Sequence, residues 1–360
     1  MTEVDIILPR KNFDVQIKES FSDGITGIFG PSGSGKTSLM HSISGLARPK
    51  SGRIVIGGNT VFNAEKGMHV PVEKRNIGYV FQEGRLFPHM NVEKNLLYGI
   101  KNHRKSKITI NEVVDLLNLN HILKSKPSQI SGGERQRTAL GRTLLSSPEI
   151  LLLDEPFSAV DTNLRSQILP FIIRIQQKID IPILVVSHEM PDLLKLTNTL
   201  FIIKSGQCIG HGEYYDLLKN RDVSELFGSN VLVNSIDMTV MQNTEDNGLT
   251  LLRYRNHERQ VVVKCEKSKE QYAVGRNIKI FINADDIALS KELMPRITIQ
   301  NQIEGLVTDL IDRGSTLLCI VDVDFRLVVE ITAESQKRLD ISVGSKVWCM
   351  FKSVAIDVVG

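Results

Sequence analysis

Gly30-Pro31-Ser32-Gly33-Ser34-Gly35-Lys36-Thr37 fits the pattern GxxxxGK[ST] at every fixed position. Glycines so placed leave backbone N–H groups open to wrap a phosphate chain. The helix expected from Lys36 adds the positive potential of its N-terminus. Lys36 then reaches the β- and γ-phosphates of a bound nucleotide, and the Thr37 hydroxyl joins a Mg²⁺ shell. Further on, Ile150-Leu151-Leu152-Leu153-Asp154-Glu155-Pro156 is an apolar run ending in two carboxylates. Asp154 suits the Mg²⁺ shell, and Glu155 suits polarising an attacking water as general base. Alone, such a run reads equally as a solvated strand end; beside a phosphate loop the catalytic reading is the stronger. In Ser131-Gly132-Gly133-Glu134-Arg135-Gln136, Ser131 and Glu134 form a capping box ahead of a helix running to about Leu145. Ser146-Ser147-Pro148 stops that helix, and the two glycines leave its first amides open to an anion. Taken by itself, this stretch needs no role beyond that of a cap.

These groups need a scaffold, and residues 23–228 supply a pattern for one. Strand-like runs at 25–29, 77–81, 150–153, 183–186 and 200–203 alternate with helix-like ones. Residues 36–46 place Leu39, Ile43 and Leu46 on one helical face. Short, continuously apolar strands predict an α/β domain around a mostly parallel sheet covered on both faces. Residues 85–147 read as a helical subdomain, with helices at 91–97 and 111–119 and a basic spacer at 101–107. Phe13, Val15 and Ile17 alternate as on a half-buried strand, which assigns Phe13 to packing.

Beyond residue 230 the chain turns strand-rich and repeats itself. Gly248-Leu249-Thr250-Leu251-Leu252 matches Gly314-Ser315-Thr316-Leu317-Leu318, an offset of 66 (248 to 314). The apolar pattern of 274–287 returns at 343–356, an offset of 69 (274 to 343). The expectation is a 1–228 nucleotide-binding domain followed by an all-β domain of OB-like type over 230–360, built of related units at about 230–289 and 297–360.

Composition narrows the function classes. The 360 residues are 41% hydrophobic and 24% charged, with a formal net charge of +3, which gives no reason to expect nucleic acid as the main partner. Cys208, Cys265, Cys319 and Cys349 are far apart, the plain mark of free thiols in a reducing compartment. The acidic start Met1-Thr2-Glu3-Val4-Asp5 lacks a signal-peptide pattern. No apolar run approaches 18 residues. Any membrane role is therefore expected to come through a partner.

With the phosphate loop and the carboxylates in place, residues 131–136 resemble the signature motif of ABC ATPases, with Ile130 and Glu134 as mild departures. Gln82 after Tyr79-Val80-Phe81 resembles the Q-loop glutamine, Ser158-Ala159-Val160-Asp161 the D-loop, and His188 in Val185-Val186-Ser187-His188-Glu189 the switch histidine. The resemblance covers residues 1–228 and carries all six motifs in order. It implies a head-to-tail homodimer in which ATP lies between the phosphate loop of one copy and Ser131, Gly132, Gly133 and Glu134 of the other. Asp161 belongs to that shared site. Gln82 joins Thr37 and Asp154 at the metal and connects to the helical subdomain, while His188 contacts the γ-phosphate. The family's adenine-stacking aromatic is unassigned.

Val70-Pro71-Val72-Glu73-Lys74-Arg75 followed by Ile77-Gly78-Tyr79-Val80-Phe81-Gln82 resembles importer ATPases, and Arg85-Leu86-Phe87-Pro88-His89 and Asn95-Leu96-Leu97-Tyr98-Gly99 are similar to those of molybdate importers in particular. The segment 298–305 resembles the opening of a Mop-type oxyanion-binding domain, with Gln300 where that family often has Arg. Residues 331–335 and 351–353 resemble its other two elements. This likeness implies Thr298, Asn301, Thr332, Ser335, Lys352 and Ser353 as ligands of molybdate or tungstate. It also implies a membrane permease dimer at the cytoplasmic face of the inner membrane, fed by an external substrate-binding protein. The alternative within transport is an importer of another anion, such as sulfate. A nucleic-acid-acting ABC ATPase is disfavoured: the tail has no basic-aromatic face, and residues 230–360 are not expected to form the second ATPase domain common in such proteins. Glu155 and His188 argue against a scaffold without hydrolysis.

Overall fold

The computed structural model describes residues 1–100, 108–157, 169, 172–176, 178, 180–227, 232–244, 248–254, 260–264 and 273–359. Asp161 and the 101–107 spacer lie outside them. Two compact units divide the chain, Met1–Glu213 and Tyr214–Gly360.

The first unit is built on one sheet of eleven strands: β1 (Thr2–Pro9), β2 (Asp14–Phe21), β3 (Gly24–Phe29), β4 (Ser51–Ile56), β5 (Asn59–Asn63), β6 (Met68–His69), β7 (Ile77–Val80), β8 (Ile150–Asp154), β9 (Pro182–Val186), β10 (Thr199–Lys204) and β11 (Gln207–Glu213). Their order is β6-β5-β4-β1-β2-β11-β10-β3-β9-β8-β7. From β10 to β7 neighbours run parallel. From β6 to β2 they run antiparallel. The expected mostly parallel sheet is therefore half of a mixed one. Burial explains the division. β8 and β9 are buried at every position, as strands covered on both faces must be. β1 alternates buried and exposed residues throughout, the pattern of an antiparallel strand with one wet face.

Helix α1 (Lys36–Ser44) starts at the phosphate loop and ends at Gly45, whose φ of +85° suits glycine. Leu39 and Ile43 are buried as expected, but Leu46 falls beyond the helix end and is 50% exposed. Helices α2 (Val92–Gly99), α3 (Ile110–Leu116) and α4 (Gly132–Leu145) form the helical segment. Asn91, Thr109 and Ser131 cap them, the last two in full capping boxes. Among the described residues, no helix is long and apolar enough to cross a membrane.

The second unit contains β12 (Val233–Thr244), β13 (Leu249–Arg253), β14 (Gln260–Lys264), β15 (Asn277–Asn283), β16 (Ala288–Ser290), β17 (Asn301–Asp312), β18 (Thr316–Asp322), β19 (Arg326–Thr332), β20 (Lys346–Phe351) and β21 (Asp357–Val359). The sequence repeat is visible as two five-stranded sheets, β14-β13-β12-β15-β21 and β16-β20-β17-β18-β19. Each repeat gives its last strand to the other's sheet: β21 pairs with β15, and β16 with β20. Both sheets bury one shared core. Two asparagines repeat the symmetry. Asn234 Nδ2 donates to Val328 O at 2.8 Å and its Oδ1 accepts from Val328 N at 2.6 Å. Asn301 makes the same pair with Val262, at 2.9 and 2.7 Å.

Candidate functional site

The groups singled out in the sequence emerge from the carboxyl ends of adjacent parallel strands, where open α/β sheets bind ligands. The loop 30–35 follows β3, Glu155 follows β8 directly, and His188 and Gln82 each lie two residues past the ends of β9 and β7. A β-carbon on Gly30 would lie 2.1 Å from Ile203 O, so only glycine lets the loop pass this close to β10. The loop is held by Ser34 N donating to Pro31 O (3.1 Å) and Gly206 N to Ser34 O (2.8 Å). Lys36 Nζ donates to the carbonyls of Gly30 (2.6 Å) and Pro31 (3.0 Å). Burial lowers the Lys36 pKa, while Glu155 and Asp154 oppose that shift.

Ser32, Gly33, Gly35, Lys36, Thr37 and Glu155 line one open cleft of about 420 Å³. Ser34 Oγ is buried beside it without a hydrogen-bond partner, a donor suited to an incoming anion. Glu155 has φ +48°, in the left-handed region that non-glycine residues rarely adopt. Its Oε2 lies 2.9 Å from His188 Nδ1, so the expected base and switch histidine are in contact. Asp154 is buried at the strand end, and Tyr79 Oη donates to its Oδ2 at 2.8 Å. Burial raises the Asp154 pKa; the Tyr79 bond, His41 and Lys36 oppose this, and Glu155 adds to it.

The structure does not bring every expected group into this cleft. Gln82 is exposed in the turn after β7 and is not among the lining residues. Ser131, Gly132, Gly133 and Glu134 also lie outside the lining. Ser131 N donates to Glu134 Oε2 at 2.8 Å. That bond is the main cause holding the Glu134 carboxyl below its usual range. Glu134 Oε1 lies 2.9 Å from His121 Nε2.

Sequence reasoning missed four further residues that line the cleft, Arg10, Lys11, Asn12 and Phe13. Phe13, assigned to a strand, instead precedes β2 in the β1–β2 hairpin loop. Its half-buried ring packs on the core edge and also faces the cleft. The available signal was the polar, basic turn Arg10-Lys11-Asn12 between two alternating runs. Arg10 Nε reaches Ser38 Oγ at 3.1 Å.

In the second unit, Asn301 is corrected. It is 3% exposed, and both atoms of its carboxamide bond Val262, so its side chain holds β14 rather than an oxyanion. Thr332 caps the helix Ala333–Arg338 and donates to Ser335 Oγ at 2.9 Å. Thr298 and Lys352 are exposed, and Ser353 is half-buried.

For a metal, Thr37 and Asp154 offer hard oxygen donors. Among the described residues no group of three or more His, Cys, Asp or Glu side chains could form a metal cage. Such a sparse donor set fits Mg²⁺, which takes one or two protein ligands and completes its shell with phosphates and water.

Comparison with known proteins matches two family models, ABC transporter over residues 11–158 and TOBE domain over 297–358. A molybdenum import ATP-binding protein ModC from Brucella melitensis is 36% identical, over 99% of this chain and 98% of its own. Its counterpart in Paramagnetospirillum magneticum is 33% identical over the same shares. Among solved structures, cbiO1 from Clostridium perfringens, part of the ABC transporter complex cbiONQ, aligns with a TM-score of 0.53 at 22% identity, covering 62% of this chain and 92% of its own. A nucleotide-free ATP-binding cassette from an ABC transporter aligns with a TM-score of 0.53 at 23% identity, covering 63% and 97%.

Proposed function

The chain belongs to the ABC transporter family, among its ModC-type ATP-binding proteins, and from that premise we propose that it hydrolyses ATP to drive molybdate uptake through a membrane permease pair. The observation that carries the reading is the likeness to molybdenum import proteins along 99% of the chain, tail included.

In this reading the amides of 30–35 and Lys36 hold the phosphates, and Ser34 Oγ gains a partner. Thr37, Asp154 and Gln82 would hold the Mg²⁺ that accompanies ATP, which would supply neutralisation of phosphate charge. Glu155 accepts a proton from the water that attacks the γ-phosphorus, and the bond to the bridging oxygen breaks to release ADP and phosphate. His188, against Glu155, orients that water and contacts the γ-phosphate. The exposed face of Phe13 stacks on the adenine. A second copy supplies Ser131, Gly132, Gly133 and Glu134, with Asp161 in the shared interface. The permease docks on the helical segment, where Leu97, Tyr98 and Ile100 are exposed beside the loop after Gln82. That docking holds the chain at the cytoplasmic face of the inner membrane, with a substrate-binding protein delivering cargo from outside. In the tail, Thr298, Thr332, Ser335, Lys352 and Ser353 donate to an oxyanion that slows transport when cargo accumulates.

The test is uptake of labelled molybdate and sulfate into proteoliposomes containing the permease pair and this chain. ATP-dependent accumulation of molybdate over sulfate is expected. Accumulation of sulfate instead would overturn the cargo assignment and leave the ATPase assignment in place.

A further inference from the structure

Strands β7 and β8 run parallel, with Tyr79 opposite Leu152 and Val80 opposite Leu153. Residues two apart on a strand share a face, so Tyr79, Leu152 and Asp154 project to the same side of the sheet. The Tyr79 hydroxyl crosses to Asp154 and donates to Oδ2 at 2.8 Å. Its ring contacts two others. It stacks on Phe81 with centroids 4.3 Å apart and an interplanar angle of 29°, and it meets the His41 ring of α1 at 6.0 Å. Phe81 in turn carries the Arg85 guanidinium 4.6 Å from its centroid.

A carboxylate at a strand end rotates about its last bond and can offer either oxygen to a cation. A hydrogen bond to one oxygen removes that choice, and groups that orient metal ligands in this way affect metal affinity strongly. We propose that Tyr79 is a positioning residue for the metal-dependent reaction: its hydroxyl holds Oδ2 of Asp154 and leaves Oδ1 to face the metal that accompanies the nucleotide. The same side chain ties the metal ligand to β7, the strand that leads into Gln82. The inference rests on the reading of Asp154 as a metal ligand.

The experiment uses the full chain with ATP, Mn²⁺ as a paramagnetic probe, and electron paramagnetic resonance. It compares the wild type, Tyr79→Phe and Asp154→Asn. Tyr79→Phe keeps the stacked ring and removes only the donor. The expected result is Mn²⁺ affinity at least about tenfold weaker in Tyr79→Phe, with metal-free ATP affinity unchanged. The Mg²⁺ concentration for half-maximal turnover rises by the same factor. If Asp154→Asn loses the metal and Tyr79→Phe does not, the positioning role is overturned alone. If Asp154→Asn also keeps its metal affinity, the reading of Asp154 fails. A parallel loss of metal-free ATP binding in Tyr79→Phe would make Tyr79 merely structural and overturn the proposal. Should Tyr79→Phe not fold, 3-fluorotyrosine placed at position 79 gives a second readout. Its fluorine resonance should move when Mg²⁺ is added to the ATP complex, and a resonance indifferent to Mg²⁺ overturns the proposal.

Discussion

Arg75→Met removes a fully buried cation, and the structure sets what this should cost. Arg75 is 1% exposed. Burial lowers its pKa only to about 10, so it is charged at neutral pH. Its guanidinium donates to Val70 O at 2.8 Å, Ser42 O at 3.0 Å and Ile43 O at 2.8 Å, and it lies 3.2 Å from His69 Nδ1. Ser42 and Ile43 sit in the last turn of α1, where carbonyls lack partners within the helix. Ser42 O also accepts from the Gly45 amide, so the loss falls mainly on Val70 and Ile43. The buried Ile43 carbonyl and the half-buried Val70 carbonyl, deprived of a charged donor, cost about 2 and about 1 kcal/mol. Losing a cation at a helix C-terminus adds about 0.3–1 kcal/mol. The central expectation is a loss of about 4 kcal/mol from the first unit. Arg75→Lys should lose roughly half of that, because one ammonium cannot span the guanidinium fork. Gly45→Ala presses on the same network, since its β-carbon would fall 2.6 Å from Arg75 Nε. The assay is urea unfolding of the full chain, read through bound nucleotide for the first unit and through Trp348 for the second, because two units need separate transitions. Arg75→Met should move the first transition and leave the second in place. A loss under about 1 kcal/mol, or Lys faring as badly as Met, would refute the reasoning.

Other consequences are equally direct. Gly30→Ala forces a β-carbon to 2.1 Å from Ile203 O and should weaken ATP binding at least about tenfold, measured by titration with a fluorescent nucleotide. Asn234→Ala and Asn301→Ala remove equivalent clamps and should each cost about 2–3 kcal/mol in the tail's unfolding transition; a large difference between them would count against their equivalence. Burial pushes the Cys319 and Cys349 thiols up to about 12, which cuts the thiolate fraction at pH 8 roughly a thousandfold against an ordinary thiol. Mass mapping after iodoacetamide at pH 8 should find both unmodified until the tail unfolds. Lys352→Ala should weaken molybdate binding to the full chain in calorimetry while leaving ATP turnover intact.

The site was legible in the sequence wherever chemistry demanded particular residues at fixed spacing. Gly30 to Thr37, Asp154, Glu155 and His188 needed no more than their neighbours to be placed at strand ends. The capping box of Ser131 and Glu134 was equally local. What escaped depends on distant pairing. β1 and β4 bracket one another across some fifty residues, and no local pattern marks them as a wing of the same sheet. Phe13 looked like a strand residue because the alternation of Val15 and Ile17 continues back through it, yet the hairpin loop runs on through Phe13 and β2 starts only at Asp14. Asn301 carries the right chemistry for an oxyanion, but its burial against Val262 is a tertiary fact. The repeat showed in sequence as offsets of 66 and 69; the exchange of β16 and β21 did not, because either sheet satisfies the same apolar pattern.

The central claim is that the cleft between the phosphate loop and Glu155 hydrolyses ATP, and the most direct measurement compares the wild type with Glu155→Gln in single-turnover and steady-state assays. Glutamine keeps the size of the side chain and removes the base. Steady-state turnover should disappear while ATP stays bound, and the variant should accumulate as an ATP-containing dimer on size exclusion. Steady-state hydrolysis persisting at wild-type rates would contradict the claim.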